Sequence, residues 1–130
     1  MAKILIIDDD ADYTLATKAI LQAAGHQVST APDGKKGLEA VKAEDPDLIV
    51  LDIMMDSIYE GFSVTTTLRG TPEYMDYRDV PVLMCSAVKT IAGERFTLPP
   101  EAKLAQGDEY LDKPFTAEVL LAKVDKLLAG

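Results

Sequence analysis

A chain of 130 residues fits one domain, residues 1–130, long enough to bury a single core and too short for a second domain of ordinary size. Its net charge of −9, with 22 acidic residues against 13 basic ones, opposes direct binding to nucleic acid or to an anionic membrane, so the expected partners are proteins. The single cysteine, Cys85, excludes an internal disulfide, and the absence of a signal-peptide core or a bilayer-length apolar run makes the chain read as cytoplasmic.

Ile4 to Ile7 is expected as a first strand and Ala11 to Ala24 as a helix stopped by Gly25. Gln27 to Thr30 makes a short second strand. Pro32-Asp33-Gly34 is a turn that leads into a helix reaching about Ala43, with Leu38 and Val41 on one face, before Pro46. Leu48 to Asp52 is a third strand, followed by an irregular loop to Gly61. A helix over Phe62 to Arg69 ends at Gly70-Thr71-Pro72, and its Thr65-Thr66-Thr67 run makes it an indifferent helix former. Val80 to Ser86 is a fourth strand, with Cys85 in the apolar stretch where burial as inert core is expected.

From Val88 to Ala105 the periodicity fails, because Gly93 and Pro99-Pro100 break any long helix; a short helix from Pro100 to Ala105 is expected at its end. Glu109 to Leu111 is a brief fifth strand. Thr116 caps a last helix to Leu128, which carries Leu120, Val124, Leu127 and Leu128 on one stripe. Unbroken apolar runs of four residues indicate strands covered on both faces. Five alternations of strand and helix therefore predict an α/β fold, a doubly wound parallel sheet with helices on both sides.

Sheets of this kind carry their sites beyond the carboxyl ends of the strands. Asp8 and Asp9 end the first apolar run and Asp52 ends the third. If those strands are neighbours, three carboxylates gather at one end of the sheet. At a separation of ~4 Å each pair would repel by about 4 kcal/mol near a protein surface. A cation must compensate, and an all-oxygen donor set with room for waters and a phosphate suits Mg²⁺. Two further features occupy strand ends: Ser86-Ala87 after the fourth strand and Lys113-Pro114-Phe115 after the fifth.

With these five signature positions in order, the sequence from Lys3 to Leu128 resembles the receiver domain of bacterial response regulators. The resemblance implies a flavodoxin-like sheet of order 2-1-3-4-5. It implies that Asp52 is the phosphoacceptor, a carboxylate nucleophile served by a sensor histidine kinase or phosphotransfer protein bearing a phosphohistidine. Asp8 and Asp9 correspond to the Mg²⁺-binding acids, with Asp9 the direct ligand and Asp8 acting through water, and Met54 to the position that lends the ion a backbone carbonyl. Lys113 would pair with a phosphoryl oxygen, and the Ser86 hydroxyl would bind the phosphoryl group once formed. Tyr110 corresponds to an aromatic that turns inward when that hydroxyl moves, with a partly buried sheet-edge tyrosine as the structural alternative. A cis peptide before Pro114 belongs to the same pattern.

The output surface would be the face from Pro100 to Leu128, acting on a protein target in trans as a stand-alone module, with homodimerisation through the last helix and strand left open. Such a protein is a phosphoacceptor that assists its own modification and demodification rather than an enzyme acting on other substrates. A phosphorylation-independent interaction scaffold of the same fold is the alternative.

The chain departs from the family pattern in two places. Asp56 stands where receivers usually carry proline, and Gly61 comes one residue late, so the loop from Asp56 to Glu60 is expected to be looser. The stretch from Ser86 to Lys113 is several residues longer than usual and carries Ile91, Phe96 and Leu98, expected as a partner-docking surface. Met54 and Val88, apolar and beside the implied path of the hydrolytic water, lead to an expectation of slow self-dephosphorylation. Met54 also disfavours an aspartyl-phosphate hydrolase, which would need a second acid at that position. His26, between a helix stop and a strand, is expected as a solvated loop residue.

Overall fold

The computed structural model describes residues 2–52, 58–86, 109–112 and 115–129. In chain order these form β1 (Lys3–Ile7), α1 (Ala11–Ala23), β2 (Gln27–Ala31), α2 (Gly34–Glu44), β3 (Leu48–Asp52), α3 (Ile58–Gly70), a 3₁₀ helix (Pro72–Tyr77), β4 (Val82–Ser86), β5 (Glu109–Asp112) and α4 (Ala117–Ala129). The strands make one parallel sheet of order β2-β1-β3-β4-β5, the expected arrangement.

Alternation along each strand divides the interior in two. Leu5, Ile7, Ile49, Leu51, Val82 and Met84 face α2, α3 and the 3₁₀ helix, meeting Val41, Val64, Leu68 and Tyr74. Ile4, Ile6, Leu48, Val50, Leu83 and Cys85 face the opposite way, onto Leu21 of α1 and Leu120 and Val124 of α4. Every residue of β3 is buried, which is why its apolar run is continuous rather than alternating. Each fully buried Leu or Ile contributes roughly 1.5–3 kcal/mol, so the two layers around β1 and β3 dominate the stability. Cys85 is buried among them.

Local chemistry sets the element ends. Asp10 caps α1, Asp33 caps α2 by accepting from the Lys36 N–H at 2.8 Å, and Thr116 Oγ1 accepts from the Val119 N–H at 3.2 Å at the start of α4. Gly25 follows α1 at φ 97°, a left-handed conformation that glycine adopts without strain. Asp45 ends α2 at φ 49° and donates its N–H to the Val41 carbonyl; aspartate tolerates this region better than most residues.

Four expectations change. α3 starts at Ile58, so Ile58, Tyr59, Glu60 and Gly61 are helical rather than loop, and Gly70 remains inside the helix. Burial of Val64 and Leu68, one turn apart against the sheet, outweighs the poor propensity of the threonine run. The residues after Gly70 are not merely a break: Pro72 opens the 3₁₀ helix, whose Tyr74 is buried, donates its hydroxyl to the Leu38 carbonyl at 3.4 Å and lies under the Lys42 ammonium, 4.6 Å from the ring centroid, while Lys42 pairs with Glu73. β4 begins at Val82 instead of Val80. His26 is half-buried and its Nδ1 accepts from the Ala2 N–H at 3.2 Å, so it ties the start of β1 to the α1–β2 turn instead of standing in solvent. The Pro100–Ala105 helix and the docking stretch with Ile91, Phe96 and Leu98 lie outside the described residues.

α2 approaches the sheet at Gly37, where an added Cβ would lie 2.5 Å from Ile7 Cδ1, 2.8 Å from Cγ1 and 3.0 Å from Cγ2. Alanine would gain about 1 kcal/mol of helix propensity, against roughly 1–3 kcal/mol for overpacking a close contact. Gly37→Ala is therefore expected to lose about 1 kcal/mol in urea unfolding. Ile7→Val in the same chain should cost less in the Gly37→Ala background than alone. A more stable Gly37→Ala chain would mean that α2 lifts off β1 freely.

Candidate functional site

β1 and β3 pair in parallel with Ile7 opposite Leu51. The next residue of each chain segment, Asp8 and Asp52, is thereby brought to the same level at the carboxyl edge of the sheet. Asp9 follows directly. One carboxylate oxygen from each of Asp8, Asp9 and Asp52 lies within 4.8 Å of the others, with Asp8 and Asp52 buried and Asp9 exposed. The expected gathering of acids is present.

The turn out of β1 is held by hydrogen bonds in both directions. The Asp8 N–H donates to the Ala31 carbonyl at 3.1 Å, extending the β1–β2 ladder one step past the strand. Asp8 Oδ1 accepts the Asp10 N–H at 2.9 Å, and the Asp10 carboxylate accepts the N–H groups of Asp12 and Tyr13 at 3.0 and 3.1 Å. The amide of Asp10 and the N-terminal end of α1 thus place partial positive charge beside the acids. Those partial charges are small against three carboxylates, since two unit charges 4.8 Å apart still repel on the order of 3 kcal/mol near a surface.

The donor set fits a hard divalent cation. All three side chains offer oxygen only, and their spread is close to the ~4.2 Å between oxygens on opposite sides of a Mg²⁺ ion. Beside the acids, a recess of about 300 Å³ opens between α1 and the β2–α2 turn, lined among others by Thr14, Lys18, Thr30 and Pro32. Lys18 is among the residues that line this recess. Sequence reading misses it, although Ala11, Thr14, Leu15 and Lys18 share one helical face in the first turns after the acid pair.

The other expected site residues are located less fully. Ser86 is the last residue of β4, its backbone paired with Asp112 of β5, which puts both main chains at the same edge of the sheet as Asp52. Lys113 follows Asp112 directly. Lys113, Pro114, Met54, Asp56 and Val88 lie outside the described residues, as does the Ser86 side chain. Tyr110 lies on the edge strand β5 opposite Met84 and is 42% exposed.

A doubly wound parallel sheet with three acids at the ends of its two central strands is the architecture of a receiver. The chain belongs to the response regulator receiver domain family, whose model matches residues 4–125. It is 38% identical over 126 residues to the transcriptional regulatory protein PrrA of Mycobacterium tuberculosis, covering 97% of this chain and 49% of that one. It is 38% identical over 128 residues to the DNA-binding dual master transcriptional regulator RpaA of Synechocystis, covering 98% and 49%. Among solved structures, a response regulator from Chloroflexus aurantiacus superposes with a TM-score of 0.81 at 27% identity, covering 99% of this chain and 98% of that one. The chemotaxis protein CheY4 of Vibrio cholerae gives 0.77 at 28% identity, covering 98% of both.

The chain therefore spans about half the length of the curated relatives it matches and nearly all of the receiver-length structures. No helix among the described residues is long and apolar enough to cross a membrane.

At the far edge of the sheet, next to Tyr110, Glu109 accepts from Lys126 Nζ at 2.9 Å and from Lys123 Nζ at 3.2 Å, tying β5 to α4. Hydrogen bonds from Lys126 and then Lys123 hold its carboxyl down to about 2 from an ordinary 4.5. Stabilisation by a depressed carboxylate is complete above its unfolded value and is lost as pH falls toward the folded one. Because Lys126 is well exposed, solvent screening limits the effect to under about 1 kcal/mol. Glu109→Gln should be less stable than the unaltered chain at neutral pH in urea titrations, with the gap closing as pH falls from 4.5 towards about 2. A gap that widened on acidification would contradict this linkage.

Proposed function

We propose that this domain is a phosphorylation-driven signalling switch in which Asp52 is the phosphoacceptor and Mg²⁺ the cofactor. The observation that carries the proposal is the convergence of Asp8, Asp9 and Asp52 within 4.8 Å at the ends of β1 and β3. Asp52 is the member that ends β3 and is 4% exposed, a buried carboxylate at the centre of the sheet edge. Its oxygen attacks the phosphorus of a phosphohistidine on a histidine kinase or phosphotransfer protein. The phosphorus–nitrogen bond breaks, and the imidazole nitrogen leaves with the electron pair and takes up a proton.

Phosphoryl transfer depends mainly on in-line positioning and on neutralising charge spread over the equatorial oxygens. A bound Mg²⁺, held by Asp8, Asp9, Asp52 and the Met54 carbonyl, would supply that neutralisation. Lys113 and Ser86 complete the proposed site, Lys113 by pairing with a phosphoryl oxygen and Ser86 through its hydroxyl. Tyr110 is the proposed readout: its outward position is the side of a two-state equilibrium that the phosphoryl group would draw inward through Ser86.

The proposed downstream partner is a protein that meets the face formed by β5 and α4. A domain surface of net charge −9 suits a protein target better than nucleic acid. Action on that protein in trans is part of the same proposal.

Incubation with acetyl phosphate and Mg²⁺, followed by intact mass, tests the proposal. One phosphoryl group per chain is expected, lost when Mg²⁺ is chelated and absent from Asp52→Asn. A folded chain that gains none, or an Asp52→Asn chain that gains as much, would overturn the proposal. The first of these results favours a scaffold that works without phosphorylation.

A further inference from the structure

The acid that prepares the site is not confined to the three that converge. Asp8 is buried, and a buried carboxylate needs hydrogen-bond partners to hold it in place. One of them is the backbone N–H of Asp10, 2.9 Å from Oδ1. Asp10 keeps an extended conformation, φ −88° and ψ 104°, at the boundary between the turn and α1, and these angles fix how that amide is set relative to the helix. The Asp10 side chain holds it there, because its carboxylate accepts from both the Asp12 and Tyr13 N–H groups of the first helical turn. Its carbonyl accepts from the Thr14 N–H at 2.9 Å. Asp10 therefore faces two ways: its side chain fastens the helix and its amide fastens a carboxylate of the acid cluster.

We propose that Asp10 is a positioning residue for Mg²⁺, setting the rotation of the Asp8 carboxylate through its own amide by way of the helix cap. The inference rests on the reading that Asp8, Asp9 and Asp52 hold the ion. It assigns Asp10 no direct contact with that ion. What matters is the cap, not the charge: asparagine, an equally good cap, should serve, although it removes a negative charge from the residue next to Asp9, which on electrostatic grounds alone would weaken cation binding.

The test is Mg²⁺ titration of the full 130-residue chain, followed by the backbone amide NMR shifts of residues 8–13, for the unaltered protein and for Asp10→Asn, Asp10→Ala and Asp10→Gly. Partners that orient metal ligands typically change affinity by ~10–100-fold when removed, and a partner acting through the backbone should fall at the lower end. Asp10→Ala is expected to bind roughly tenfold more weakly, and Asp10→Asn within about twofold of the unaltered chain. Should Asp10→Ala fail to fold, Asp10→Gly supplies the same comparison, since glycine at a cap costs a helix little while lacking the acceptor.

A purely structural cap would lower the melting temperature of Asp10→Ala and leave its Mg²⁺ affinity unchanged, which overturns the proposal. Equal weakening in Asp10→Asn and Asp10→Ala would show that charge is the cause, and overturns it too. Failure of the unaltered chain to bind Mg²⁺ would overturn the underlying assignment of the metal site as well.

Discussion

In-register parallel pairing of β1 with β3 is the constraint on which the site depends. Both strands are buried on two faces, so each is committed to its register by the side chains that point into the two halves of the core. A slip of one residue would exchange the halves and turn Ile7 and Leu51 out of their layers. The same register fixes Asp8 and Asp52 side by side, because each is the first residue past a matched pair or the last of its strand. The acids are close because the apolar residues behind them have nowhere else to go.

That closeness opposes stability. Three carboxylates in one place repel, and the fold tolerates them because the layers around β1 and β3 supply far more than the repulsion removes. Hydrogen bonding lessens the conflict at Asp8, whose carboxylate takes the Asp10 amide. A divalent ion would reduce it further. A site that is strained without its cation and relaxed with it is well suited to coupling ion and phosphoryl binding to the shape of the surrounding edge. Glu109, Lys123 and Lys126 hold the last helix to β5 at the other side of the sheet, beside the outward-turned Tyr110. The proposed switch thus runs from a crowded centre to a tied-down edge.

Much of this is legible in the residues. Continuous apolar runs mark Ile4–Ile7 and Leu48–Leu51 as strands buried on both faces, and the acids that terminate them mark the site. Thr116 and Gly25 mark helix ends for simple chemical reasons, a hydroxyl acceptor and a residue free to take positive φ. The beginning of α3 and the 3₁₀ helix are not legible, because Gly61 and Pro72 are locally breakers and only the contacts of Val64, Leu68 and Tyr74 with the sheet and α2 decide otherwise. His26 is misread for a similar reason: its partner, the Ala2 amide, lies 24 residues away in sequence. That Asp10 rather than Asp12 caps α1, and that its amide meets Asp8, depends on the turn geometry and becomes visible only in three dimensions.

The most direct measurement is a crystal structure of the chain grown with Mn²⁺, an anomalously scattering stand-in for Mg²⁺ that also takes oxygen ligands. The account predicts an anomalous peak among the carboxylates of Asp8, Asp9 and Asp52, with those side chains drawn together around it. Carboxylates lying apart with no peak between them, or a peak bound elsewhere on the chain, would contradict it.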